Sequence, residues 1–187
     1  VILTDTELPG VKLIEPMTFE DERGLFYESF NLERFRMKLG LSTVDFVQDN
    51  HSVSKAGVLR GIHYQMDPMA QGKLVRVISG EVFDVAVDLR RESKFFGQYV
   101  SVILSADNRK QIWIPEGFGH AFLTLSDRAE VIYKTTNYYS SVHEVCIQWD
   151  DPDLAIEWPQ LSQEIVLSEK DAQGLSLGQA ELILQAL

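Results

Sequence analysis

The stretch "VLRGIHYQ", residues 58 to 65, sets Arg60, Gly61 and His63 among strand-forming neighbours, and "IPEGFGHAF", residues 114 to 122, carries His120. A histidine in such a place can fill a core, ligate a metal or move a proton, since imidazole titrates near pH ~6.5 and is a common metal ligand. Lys73 and Tyr133 are further ionisable candidates for the same pocket. Arg60 and His63 have opposite strand parity, so an ideal strand would send them to opposite faces. A bulge at Gly61 would return them to one face.

Pro115, Gly117 and His120 match the P-x-G-x-x-H element of the cupin superfamily, which the chain resembles there. That resemblance implies a small jelly-roll barrel and supplies a test for metal. Metal-binding cupins bring H-x-H and a downstream glutamate from their first element. Here His63 is followed by Gln65, and no glutamate lies between Gln65 and Gly72. Two histidines and a weak amide make a poor divalent site, which normally uses three or four strong ligands. The expectation is a metal-free pocket of Arg60, His63, Lys73, His120 and Tyr133, with satisfied core histidines as the alternative.

Such a pocket has to be held by strands. From residue 45 to about 150 the sequence reads as about nine short strands joined by Gly-, Asp-, Asn- or Ser-bearing turns. No long helices intervene, so a sandwich or barrel is expected and not a βαβ sheet. "ISGEVFDVAVD" predicts two strands meeting in a tight hairpin at Ser79-Gly80. In "EVFDVAVDL" the alternation predicts a buried face with Val85 and Val87 and a partly wet one with Asp84 and Asp88. Upstream, "VKLIEPMTF" and "RGLFYESF" read as strands. "NLERFRMKLG" reads as a helix capped by Asn31 and closed by Gly40, with Leu32, Phe35 and Leu39 on one face and Met37 off it. "LSLGQAELILQAL" turns helical, with Leu177, Ala180, Leu184 and Leu187 in phase. One domain is expected over residues 1–187: N-terminal strands to about 30, a jelly roll from about 45 to 150 and a helical region from about 160.

The formal charge of −11 argues against non-specific nucleic-acid binding and against anionic membranes, so an anionic ligand needs local cations. Cys146 is the only cysteine, which excludes an intramolecular disulfide and a multi-cysteine metal site. The start "VILTDTELPG" lacks the charged and apolar regions of a secretory signal, and a cytoplasmic protein is expected. "WDDPDLAIEW" lacks the glycine and terminal glutamate of a calcium loop.

Seven motifs in order resemble the dTDP-4-dehydrorhamnose 3,5-epimerase family: "DERGLFYESF", "FVQDNHSVSKAGVLRGIHYQ", "QGKLVRVISGEVFDVAVDLR", "WIPEGFGHAFLTLSD", "YKTTNYYS", "WDDPDLAIEWP" and "LSEKD". The resemblance implies cofactor-free epimerisation of a dTDP-4-dehydro-6-deoxyglucose. His63 would be the base, Asp171 its partner, Tyr133 the acid and Lys73 the cation facing the enolate. Arg23, Glu28, Gln48, Asn50, Arg60, His120, Glu144 and Lys170 match substrate-contacting positions. It also implies a homodimer whose N-terminal strands would carry Arg23 and Glu28 to the neighbouring site. Tyr138 and Tyr139 stay open as alternative acids. Phe19, Phe26 and Tyr138 are candidates to stack on thymine, and Arg23, Arg60 and Lys170 to grip the diphosphate. Three other functions remain in view: a single-site epimerase, a ketoisomerase of the same fold and a non-catalytic sugar-nucleotide-binding cupin.

Overall fold

Asn31 accepts a hydrogen bond from the Arg34 N–H at 3.1 Å and so caps α1 (Leu32–Leu39), which Gly40 closes in the left-handed region at φ 67°. Phe35 on its buried face meets Phe46 and Trp113 edge-on, while Met37 points to solvent, as the periodicity predicts. This is a computed structural model, and it describes residues 1–180. No helix among them is long and apolar enough to cross a membrane.

Four short strands precede α1: β1 (Ile2–Asp5), β2 (Lys12–Glu15), β3 (Thr18–Asp21) and β4 (Gly24–Tyr27). The run expected as one strand over 11–19 divides at Pro16, which has no N–H to give a ladder. After α1 come β5 (Gln48–Lys55), β6 (Leu59–Gln65), β7 (Lys73–Ser79), β8 (Glu81–Asp88) and β9 (Tyr99–Ser105). Then follow β10 (Gln111–Ile114), β11 (Phe118–Thr124), β12 (Arg128–Thr135), β13 (Glu144–Cys146) and α2 (Glu169–Ala172).

The strands form an antiparallel jelly roll of two facing sheets, ordered β1-β2-β10-β7-β12-β5 and β13-β6-β11-β8-β9. Among the described residues the β3–β4 hairpin pairs only with itself, and it exposes Phe19 and Phe26. Val75, Val77, Val82, Ala86, Phe122 and Val131 fill the space between the sheets. A second core, with Ile62, Val85, Val87 and Ile147, lies under Leu154, Leu177 and Ala180 of the C-terminal segment. Residues 177–180 are helical; Leu184 and Leu187 lie outside the described residues.

Two expectations are corrected here. Gly80 does take a positive φ of 75°, but β7 and β8 are not a hairpin. β7 pairs with β10 and β12, whereas β8 pairs with β9 and β11. The turn is a corner between sheets, packed against the β11–β12 corner. Ser126 Oγ accepts from the Glu81 N–H at 2.9 Å, and a Cβ on Gly80 would lie 2.1 Å from the Arg128 carbonyl oxygen. A crowded corner demands glycine as surely as a hairpin does, so the residue alone does not tell them apart. The second correction concerns β8, which is buried on both faces because the C-terminal segment covers the outer one. Asp84 and Asp88 are both fully buried and not wet. Arg90 and Ser93 satisfy Asp88, and Asp84 faces His120.

Candidate active site

The inner rows of β5, β6 and β12 turn polar at one end of the roll, where the sheets part around a cavity of about 280 Å³. Gly61 makes the lining possible. Across β11, His63 pairs with His120 and Arg60 with Phe122, so β6 carries one extra residue between the two pairs. That bulge brings Arg60 and His63 to the same cavity, as their parity required. Gly61 has φ 112°, and a Cβ there would sit 2.4 Å from the His120 carbonyl oxygen. Only glycine fits.

His63 is held from behind. Its Nε2 is 2.5 Å from Asp171 Oδ1, across 108 residues of sequence. Ser168 caps α2 and donates its hydroxyl to Asp171 Oδ2 at 2.7 Å. Burial works against the Asp171 carboxylate, but the bonds from His63 and Ser168 outweigh it and hold its pKa below the usual range. With Nε2 engaged, Nδ1 is the ring nitrogen left for chemistry.

Lys73 opens β7 on the row that continues as Val75 and Val77. It is buried, and its Nζ donates to the His63 carbonyl at 3.1 Å. Burial pulls its pKa down to about 8, with Glu144 and Asp84 opposing the drop. His120 Nε2 lies 2.9 Å from Asp84 Oδ2, and Asp84 Oδ1 has no partner among the described residues. Tyr133 stands on the inner row of β12, with its ring centroid 6.4 Å from that of His120. Burial pushes its phenol pKa up against the pull of Arg60, which keeps the proton in place at neutral pH.

Glu144 accepts from Lys170 Nζ at 2.9 Å and from the Tyr139 hydroxyl at 2.8 Å. Burial alone would raise its pKa, but these two bonds reverse the sign and hold it low. Gln48 and Asn50 line the opposite wall, joined by a 2.9 Å bond. Gln65, in the place of the second cupin histidine, spends its amide on backbone: it donates to Met69 and Tyr138 carbonyls and accepts from the Ser140 N–H. It fastens the 138–140 loop at the cavity wall.

Of the candidate site residues, Arg23 and Glu28 are not in this cavity. Arg23 sits exposed in the β3–β4 turn, 2.5 Å from Asp21. Glu28 accepts from Asn31 and Arg34 beside a separate apolar groove along α1. Of the alternative acids, Tyr139 lies at the cavity's rim with its hydroxyl committed to Glu144, and Tyr138 does not line it. Sequence reasoning missed Asp84 and Ser168. The signal for Asp84 was a carboxylate inside an otherwise apolar run; Ser168 precedes a short acidic turn and reads as a cap.

A jelly roll with a polar, ionisable cavity between its sheets, closed by a C-terminal segment that braces a histidine, defines a cupin-type protein equipped to move protons on a small ligand. The chain belongs to the dTDP-4-dehydrorhamnose 3,5-epimerase family, whose model matches residues 5–179. The family's enzyme from Salmonella typhimurium is 56% identical, covering 97% of this chain and 98% of the relative. The solved dTDP-6-deoxy-D-glucose-3,5-epimerase of Legionella pneumophila, in complex with dTDP-4-keto-L-rhamnose, is 51% identical with a TM-score of 0.92, over 97% of this chain and 96% of that one. A 3'-monoepimerase from Streptomyces bikiniensis, in complex with dTDP-quinovose, is 35% identical with a TM-score of 0.88, over 95% of this chain and 89% of that one.

Proposed function

We propose that the chain epimerises C3 and C5 of dTDP-4-dehydro-6-deoxy-D-glucose, giving dTDP-4-dehydro-L-rhamnose, with His63 as base and Tyr133 as acid. The observation that carries this reading is the braced imidazole of His63 sharing one cavity with a half-buried phenol whose pKa is pushed up. The C4 ketone acidifies the C–H bonds on both sides of it. His63 Nδ1 removes the proton from one carbon, the electron pair moves to the ketone oxygen as an enolate, and a proton returns on the opposite face from Tyr133. Lys73 and His120 stabilise the enolate oxygen, in the manner of an oxyanion hole. Nothing is oxidised or reduced, so the reaction calls for no nicotinamide.

Arg60 and Lys170 at the cavity and Arg23 from a second chain hold the diphosphate, since guanidinium forks pair with phosphate oxygens. Tyr138, and Phe19 or Phe26 of the exposed hairpin, offer faces for thymine. This assigns a homodimer in which each β3–β4 hairpin completes the other's site. The expected result is complementation. Arg23→Ala and His63→Ala chains, each impaired alone, recover activity when unfolded and refolded together, because a hybrid dimer holds one intact site. No recovery, with hybrids formed, defeats the shared-site arrangement.

Turnover in D₂O tests the reaction itself. Both C3 and C5 should acquire solvent deuterium; label at one carbon alone makes the chain a single-site epimerase, like the Streptomyces bikiniensis relative in kind. Binding with no label makes it a non-catalytic sugar-nucleotide binder. In Tyr133→Phe, product should fall by about 10²–10⁴-fold, with isotope exchange into recovered substrate falling less. Unchanged product formation moves the acid to another residue.

A further inference from the structure

Cys146 has no part in the proton transfers, yet it sits at their centre. It lies directly opposite His63 on the β6–β13 ladder, and cross-strand partners project to the same face. Its Sγ is 3.7 Å from Asp171 Oδ1, the oxygen that holds His63 Nε2 at 2.5 Å. The three donor atoms, one nitrogen, one sulfur and one oxygen, all lie within 4.8 Å of one another. Two are carried by paired strands and the third by α2, pinned by its Ser168 cap. Zinc takes such sets with bonds of about 2.0–2.3 Å. Tetrahedral geometry then separates the donors by roughly 3.3–3.7 Å. The sulfur–oxygen spacing already fits, the imidazole and carboxylate need open by about an ångström, and the nitrogen and sulfur, within 4.8 Å, need close by up to about as much.

We infer that Zn²⁺ binds reversibly to His63 Nε2, Cys146 Sγ and Asp171 Oδ1 and shuts the enzyme off. The ion takes a thiolate, so the Sγ proton leaves to solvent; a water fills the fourth position. The ion also displaces the Nε2 proton, which passes through solvent to Nδ1. A neutral ring metallated at Nε2 must carry its proton on Nδ1, so the lone pair that would attack the sugar C–H is gone. Zinc therefore inhibits by fixing the wrong tautomer, with the ring still in its place. The inhibition rests on His63 being the base; the binding of the ion does not.

The test titrates the whole protein, stripped with a chelator and desalted, with zinc and separately with cobalt(II) as a spectroscopic probe. Zinc should abolish turnover at one ion per chain, and chelator should restore it. Cys146→Ser should keep its basal turnover and need at least about tenfold more zinc for half-inhibition, the minimum expected when a ligand is lost. Cobalt should give a thiolate charge-transfer band in the near ultraviolet that is missing in Cys146→Ser and Cys146→Ala. Equal zinc sensitivity in wild type and Cys146→Ser, or no such band in wild type, overturns the site. A cobalt band together with undiminished turnover under zinc overturns the inhibition, while the isotope loss in His63→Ala decides separately whether His63 is the base.

Discussion

His63→Ala should lose solvent-deuterium incorporation at both carbons together with product, by about 10²–10⁴-fold, the usual worth of a positioned general base. The joint loss is the informative part. A residue that only binds substrate would raise KM and leave exchange at saturation near wild type. A residue that only reprotonates would leave exchange running. His63 precedes both, so isotope and product should fall in step. Asp171→Asn should show a smaller loss with the same pattern, because an amide in that place still meets Nε2 but no longer carries the charge that favours the protonated ring. Exchange that survives in His63→Ala would put the base elsewhere, and His120, paired across the ladder with His63, is the next group to test.

Much of the architecture was legible because strand alternation and turn residues are local. All nine strands expected between residues 45 and 150 are present, and α1 keeps both caps. What alternation does not encode is which edges meet. Gly80 announced a tight turn, but whether that turn joins neighbours or crosses between sheets depends on strands whose partners lie about 50 residues away. The misreading of Asp84 has the same root: two periodic faces are visible in "EVFDVAVDL", but Asp84 shares the between-sheet row with Val82 and Ala86, while the Val85–Val87 row is the one covered by a segment far along the chain.

The site divides along a similar line. His63, His120, Arg60 and Lys73 could be grouped from two local motifs and a parity argument that pointed to Gly61. The bond between His63 and Asp171 spans 108 positions, and only the family motif "LSEKD" suggested it. Arg23 and Glu28 entered only through the family resemblance, and within one chain they sit as surface charges beside Asp21 and Arg34.

Lys73→Met should damage catalysis and strengthen the fold at once. The ammonium is buried, and its pKa falls from an ordinary 10.5 to about 8, chiefly through burial. That depression corresponds to about 3 kcal/mol of opposition to the charged form at neutral pH. Methionine keeps most of the aliphatic stem and removes the charge, so the variant should gain stability of that order, less whatever its fit costs. The sign with pH follows from proton counting. Between pH of about 8 and 10.5 the unfolded chain holds the Lys73 proton and the folded chain does not, so wild-type stability rises through that window and the variant's advantage shrinks. Below about 8 the penalty is present in full. Catalysis should move the other way: one preorganised donor to an oxyanion is worth roughly 2.7–4 kcal/mol, or about 10²–10³ in kcat. Wild-type kcat should decline as pH rises through about 8, where the folded protein loses this ammonium, and Lys73→Met should lack that alkaline limb. Urea denaturation at pH 7 and pH 10 checks the first half and a pH–rate profile the second. A variant that is less stable than wild type at every pH and keeps the alkaline limb of the pH–rate profile would make Lys73 a packing residue whose charge the cavity neither needs nor resists.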